Sequence, residues 1–441
     1  MSLLSINELY YSTELPSLFK IQPSTTPIQL SISACSLDST LFSLSNDTHS
    51  VQLEFIDGLS THTIQPSPSS ITLQHHTNNN NSPFQIALSN STTPLHQYLS
   101  SLPLFADSTS NQAIIFSPPF QPAPDLSFPS FPNYTLPPPN LSLPDQPSSH
   151  PNLTLVISPT TTTTTLIRSS CALLATSSVG TIINQSLWIP DDNGWRLQWL
   201  VDDLSPSTNY TAFVVQDGAK VSGPIYFTTK SPSFSCPLVS SLPYCPAVAY
   251  AVPLPQPPSS SPAYDASSIP TAISAPLLDY ISNFTTTLLT FACGRDLYSP
   301  LQSCADCQRA YRTWLCAVSF TRCSEAPPDP PPSSDPQSPL AIAVAQPALV
   351  PQPPNATSRN PYMDPFPESY TALLPCIETC TAVDRACPHF LGFRCPLVQF
   401  NANDSYGVGY IDEGERGEQG GGATGVAQDR WGNVWCNGLG F

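Results

Sequence analysis

From residue 18 to residue 120 the chain alternates apolar and polar positions in short runs: IQLSISACSL, TLFSLS, VQLEFI, ITLQHH, FQIALS and QAIIFS. Clusters of Ser, Asn, Asp and Pro separate the runs, and a period of two bounded by turn residues predicts half-buried strands of a β-sandwich over 18–120. Residues 1–17 form an N-terminal extension. The Pro-rich stretch SPPFQPAPDLSFPSFPNYTLPPPN follows the strands, and 121–150 reads as an extended linker.

A second β pattern covers 151–232: NLTLVIS, the threonine run Thr160 to Thr165, TLIRSSCALLAT, then INQSLWI and WRLQWLV on either side of PDDNG. Asn193-Gly194 in that connection is a strong hairpin signal. Apolar residues beside the threonines favour a strand over an O-glycosylated stalk. In LSPSTNYTAFVV, Tyr210 follows a Leu-x-Pro-x-Thr turn and opens an alternating strand, which resembles the tyrosine corner of fibronectin type III sandwiches.

After Lys230 the pattern changes, and 233–441 reads as a cysteine-rich domain with a Pro-rich insertion at about 325–367. Its twelve cysteines are Cys236, Cys245, Cys293, Cys304, Cys307, Cys316, Cys323, Cys376, Cys380, Cys387, Cys395 and Cys436; only Cys35 and Cys171 lie outside it. In SCADCQRAYRTWLCAVSFTRC, helical spacing gathers Cys304, Cys307, Tyr311, Trp314, Leu315 and Val318 on one stripe about 100° wide, with Cys316 and Cys323 together well off it. A tetrahedral zinc needs its ligands to converge, and this helix would aim the two pairs apart. Redox use of Cys304-x-x-Cys307 would need a depressed thiol pKa, and Asp306 between the two opposes the thiolate. In LLPCIETCTAVDRACPHFLGFRC, Cys376, Cys380, Val383 and Cys387 share a stripe about 60° wide, with Pro375 suiting the first turn and Pro388 ending the helix. Structural disulfides are therefore expected, the twelve pairing among themselves. Cys35 and Cys171 either pair, locking two β domains together, or are buried free thiols.

Composition narrows the function classes. Only 10% of residues are charged, prolines number 53, and 31 acidic residues against 14 basic ones give a formal charge of −17. That balance repels phosphate backbones and argues against a nucleic-acid partner. Asn-x-Ser/Thr triplets begin at Asn46, Asn80, Asn90, Asn133, Asn140, Asn152, Asn184, Asn209, Asn283, Asn355 and Asn403. With fourteen cysteines, these glycosylation triplets point to an oxidising, secretory environment. The first twenty residues carry no cationic start or apolar run and do not read as a targeting segment. No stretch reaches the roughly 18 apolar residues that a membrane span needs.

Catalytic, cofactor and metal sites are not expected. Gly420-x-Gly422-x-x-Gly425 matches the dinucleotide fingerprint literally but lies in an acidic loop with no preceding strand. A Walker sequence, a Gly-x-Ser-x-Gly elbow and a His-Glu-x-x-His helix are all missing. Asp191, Asp192, Asp202 and Asp203 are at most a weak calcium candidate, and a hairpin turn explains the first two without a metal.

The segments LPYCPAVAYAVPLP, FACGRDLYSPLQSCADCQRAYRTWLCAVSFTRC and YTALLPCIETCTAVDRACPHFLGFRCP, with the last cysteine in NVWCNGLGF, resemble the fungal stretch-activated calcium channel component family, the mating-induced-death proteins. More distantly they resemble the auxiliary subunit of the animal sodium leak channel. The resemblance implies a multidomain α+β fold, N-terminal β-sandwich domains followed by a disulfide-rich, mainly helical frizzled-like domain. It also implies a glycosylated, non-enzymatic regulatory subunit on the extracellular face of the plasma membrane. Such a subunit supports stress- or stretch-activated calcium influx through a high-affinity channel. The implied partner is a pore-forming four-repeat voltage-gated-type calcium channel subunit, which holds the chain at the membrane in place of a transmembrane helix of its own. The alternative class is a cell-wall adhesin or ligand-binding ectodomain recognising a lipid or glycan.

Overall fold

The computed structural model describes residues 2–12, 18–46, 50–76, 83–122, 132–141, 144–162, 164–190, 193–258, 261–325, 348–408 and 433–438. Two compact units divide the chain: one holds 1–103, 149–180 and 210–225, the other 104–148, 181–209 and 226–441.

The first unit is built on alternating strands. Leu9–Ser12, Phe84–Ser89, Ile28–Ala34 and Leu59–Ile64 form a four-stranded sheet in that order, and Leu18–Ile21, Ile71–His75 and Phe42–Ser45 lie at the centre of a five-stranded one. Inward residues of both sheets, among them Phe19, Leu30, Ile32, Phe42, Leu73, Phe84 and Ile86, make one apolar core. Burying such side chains contributes roughly 1.5–3 kcal/mol each before the chain entropy is subtracted. The outer positions of Ile28–Ala34 are small and polar but also covered: Ser31 Oγ meets His96 Nδ1 at 2.9 Å and Ser33 Oγ meets Ser169 Oγ at 2.9 Å. Ser169 caps helix α1, Ser170–Ala175, by accepting from the Ala172 amide. Gly58 approaches this corner with φ +89°, and a Cβ there would come within 2.9 Å of Ser169 Cβ. The Cys35–Cys171 bond joins the end of the Ile28–Ala34 strand to α1.

The threonine run is not a strand. The strand Leu153–Pro159 ends at Pro159, and Thr160–Thr162 turn as a 3-10 segment. The following SCALLA is helical because a Ser N-cap and good helix formers outweigh the apolar run that suggested a strand.

In the second unit, Leu104–Ser108, Ala113–Phe116, Arg196–Asp202 and Thr181–Trp188 form an antiparallel sheet in that order. Its last two strands flank the Asn193-Gly194 connection, where Gly194 takes φ +116°. One face of this sheet packs Ile114, Phe116, Trp188 and Leu200 against Cys236, Leu238, Ala251 and Cys323. Inside the unit lies a buried ion pair. Asp107 Oδ2 accepts from Arg322 Nε at 3.0 Å, its other oxygen faces Lys230 Nζ at 3.8 Å, and Arg322 also donates to the Ala106 carbonyl at 2.8 Å.

The cysteine-rich region carries helices α2 (Thr271–Leu288), α3 (Cys304–Ser319) and α4 (Ile377–Ala386). Two small sheets accompany them, Leu238–Val239 with Tyr250–Ala251, and Arg322–Ser324, Tyr370–Leu373 and Leu349–Gln352. Helix α2 buries Ile273, Leu277 and Ile281, one residue per turn along a single face. A capping box starts α3: Ser303 Oγ accepts from the Asp306 amide and Asp306 Oδ2 from the Ser303 amide. The structure supports a β-rich, cysteine-rich molecule but not the mainly helical, frizzled-like domain. Strands, turns and irregular chain held by disulfides separate its helices. No helix among the described residues is long and apolar enough to cross a membrane.

Candidate functional site: a cleft beside α3 and α4 in a disulfide frame

All fourteen cysteines are paired. Besides Cys35–Cys171, the bonds are Cys236–Cys323, Cys245–Cys316, Cys293–Cys304, Cys307–Cys387, Cys376–Cys436 and Cys380–Cys395. Three of the cysteines lie on α3, and each is tied to a different segment. Cys304 reaches back to the loop after α2, Cys307 to the end of α4, and Cys316 to the segment around Tyr244. Cys323 does not sit with Cys316 on one helix, because α3 ends at Ser319 and Cys323 belongs to the strand Arg322–Ser324. In α4, Cys376 is the N-cap and Cys387 the C-cap, so Pro375 precedes the helix and does not enter its first turn.

Between the helices the packing is apolar and sulfur-rich. Leu288, Cys293, Cys304, Cys307, Val383 and Cys387 share one core, and Trp314 Nε1 donates to the Tyr406 hydroxyl at 2.9 Å. On the outer side of the same helices lies a cleft of about 550 Å³, lined by Asp306, Arg309 and Thr313 of α3, by Glu378 and Arg385 of α4, and by Gly438 among others. Burial raises the Asp306 pKa, but the hydrogen bonds from Ser303 and the nearby Arg309 outweigh this and hold it below the ordinary carboxylate value. Arg309 stands 3.7 Å from Asp306. Glu378 Oε2 is buried without a hydrogen-bond partner. Two guanidinium and two carboxylate groups line the cleft, with no imidazole and no free thiol among its lining residues.

Cys376, Glu378 and Cys436 converge to within 4.8 Å, the spacing of a metal site. Both sulfurs are spent in the Cys376–Cys436 bond, so the thiolates that zinc requires are not on offer. Asp202 Oδ1 accepts from Asn111 Nδ2 at 2.8 Å and from the Asp203 amide at 2.9 Å, which ties it into a turn. Asp191, Asp192 and the Gly420–Gly425 fingerprint lie outside the described residues.

Ten of the eleven glycosylation triplets fall on described residues, and in all ten the asparagine is exposed: Asn46, Asn90, Asn133, Asn140, Asn152, Asn184, Asn209, Asn283, Asn355 and Asn403. Asn80 lies outside the described residues. Sequence reasoning passed over Gln308 and Arg312, buried polar residues of α3 at 2% and 6% exposure. Their signal was present: Cys304, Gln308, Arg312 and Cys316 form an unbroken i, i+4 row whose ends are both cysteines.

The sequence family described as "Stretch-activated Ca2+-permeable channel component", Mid1, matches residues 11–421. The stretch-activated cation channel MID1 of Cryptococcus neoformans is 37% identical over 386 residues, 78% of this chain and 60% of that protein. The stretch-activated cation channel yam8 of Schizosaccharomyces pombe is 33% identical over 48% of this chain and 40% of its own length. MID1 of Saccharomyces cerevisiae is 31% identical over 44% of this chain and 34% of its own length. The chain therefore spans at most 60% of any of these three relatives. A match running from residue 11 to residue 421, through the sandwich strands and the cysteine frame alike, places the chain in the Mid1 family of stretch-activated Ca2+-permeable channel components.

Proposed function

We propose that the chain is a non-enzymatic, extracellular regulatory subunit of a plasma-membrane high-affinity calcium channel. In this reading it supports stress- or stretch-activated calcium influx, and a pore-forming four-repeat voltage-gated-type subunit holds it at the membrane. The observation that carries the reading is the family match across 11–421 in a chain whose fourteen cysteines are all bonded. Seven disulfides suit an oxidising compartment, and ten exposed glycosylation triplets suit the secretory route to the cell surface. The cysteine-rich region, 233–441, is the docking module in this reading.

Affinity purification from solubilised fungal membranes, followed by mass spectrometry, tests the proposal. A large multi-span channel protein should co-purify in stoichiometric amount. Recovery of a wall polymer or lipid without any channel would support the adhesin alternative and sink this one.

A further inference from the structure

Residues 134–139 lie against the cysteine-rich helices. Leu136 is 9% exposed and enters the core that holds Leu288, Cys293, Cys304 and Cys307. Tyr134 packs on the same core, and its hydroxyl meets the backbone of Ala305 at the start of α3. The three prolines that follow are held through their carbonyls. Gln308 Nε2 donates to the Pro137 carbonyl at 2.8 Å, and Arg312 donates to the Pro138 carbonyl at 3.0 Å and the Pro139 carbonyl at 2.6 Å.

The chemistry of the two partners is matched. Proline has no N–H, so Pro137–Pro139 is a row of acceptors with no donor left to satisfy, and its fixed φ favours an extended polyproline helix. Arginine carries five donors and no acceptor. Arg312 also donates to the Tyr244 carbonyl at 3.3 Å, and burial lowers its pKa to about 10. Three carbonyl dipoles answer its charge. Gln308 is fixed in turn by Thr285 Oγ1 at 2.8 Å, so helix α2 orients one donor and the Cys245–Cys316 bond anchors the turn that follows the other. Donor side chains aimed at proline carbonyls beside an aromatic and apolar pocket are the general means by which extended proline segments are bound.

We infer that the face of α3 bearing Gln308 and Arg312 is a polyproline-binding site whose resident ligand is the chain's own Tyr134–Pro139 segment. The site reads an apolar side chain followed by three prolines. Leu136-Pro137-Pro138-Pro139 is the single Leu-Pro-Pro-Pro in the chain. Asn133 and Asn140, at the two ends of the seated segment, stay exposed, so the clasp leaves both glycosylation triplets open. The inference stands apart from the channel proposal and needs no partner.

Two measurements on the full chain test it. In protein stripped of N-glycans, chymotrypsin should cut after Tyr134 at least about tenfold more slowly than in a matched peptide of residues 132–141, because cleavage follows the population of the released form. Equal rates would overturn the inference. In the Leu136→Asp/Pro138→Gly variant, with its seven disulfides verified by mass, the cut should accelerate to the peptide rate. A fluorescent peptide of residues 132–141 should bind that variant at least about tenfold more tightly than the unmodified chain, whose site is filled, since affinity scales with the competent fraction. Adding Gln308→Ala should weaken the peptide's binding severalfold. A peptide that binds neither protein, or both alike, would refute the site.

Discussion

The first sandwich and the cysteine-rich region solve the same problem by different means. Around Phe19, Phe42, Leu73 and Phe84 the interior is continuous hydrocarbon from two facing sheets, and one disulfide lies at its margin. Around α3 and α4 the interior mixes sulfur with aromatic rings, and six disulfides thread the elements together. Helices separated by irregular chain share little continuous apolar surface, so covalent links limit the unfolded chain instead. Polar side chains follow the same division. The sandwich buries His75 and His96, whereas the second unit buries Arg312 and the Arg322–Asp107 pair and gives each specific partners.

Full reduction should separate the two regions most sharply. Each bond lost is worth roughly 2–5 kcal/mol, so six broken bonds should melt α2–α4 while the sandwich amides stay protected. Hydrogen exchange with and without a phosphine reductant reads this directly, and equal loss in both regions would erase the distinction.

Single core changes should come next and be comparable in size. Phe42→Ala should destabilise the sandwich by about 3–5 kcal/mol through a cavity. Asp107→Ala should cost the second unit about 3–5 kcal/mol by leaving Arg322 buried and uncompensated. Denaturant titration, with exchange to localise each loss, should find the two effects in different units. Below these lies Cys380→Ala, which opens a 15-residue separation to Cys395 and should cost about 3 kcal/mol on the entropic account. Calcium uptake should fall in cells expressing it. Normal uptake at normal surface abundance would contradict a docking role for the cysteine-rich region.

The gentlest contrast is in pH. Burial lowers the pKa of His75 to about 4, with His76 adding to the effect, and lowers that of His96 to about 4 against a hydrogen bond from its ring to the Ser31 backbone. Both stay neutral in the fold but take up protons at about 6.5 when unfolded. Their contribution is complete above pH 6.5 and is lost as pH falls toward 4. The histidine of the cysteine-rich region, His389, is exposed. Thermal melts from pH 7 to pH 4.5 should therefore weaken the sandwich first, and a His96→Gln variant should flatten that slope.

Much of this was legible before any coordinates. Period-two alternation marks Ile28–Ala34 and Phe84–Ser89 as strands, because a strand between a core and a cover writes its two faces into successive residues. Helical spacing likewise marks α3 and α4, and the 14 cysteines announce a bonded frame. Sequence could not decide which cysteine meets which, since Cys307 and Cys387 are 80 residues apart and twelve thiols allow many pairings of equal local quality. Nor could it show which carbonyls Gln308 and Arg312 would meet, that SCALLA turns helical under Ser169, or that LPPP is seated on a helix. Each of these depends on a partner distant in sequence. Local pattern records how a residue prefers to lie, whereas burial of a charge or a row of carbonyls is decided only where a complementary surface arrives through the tertiary fold.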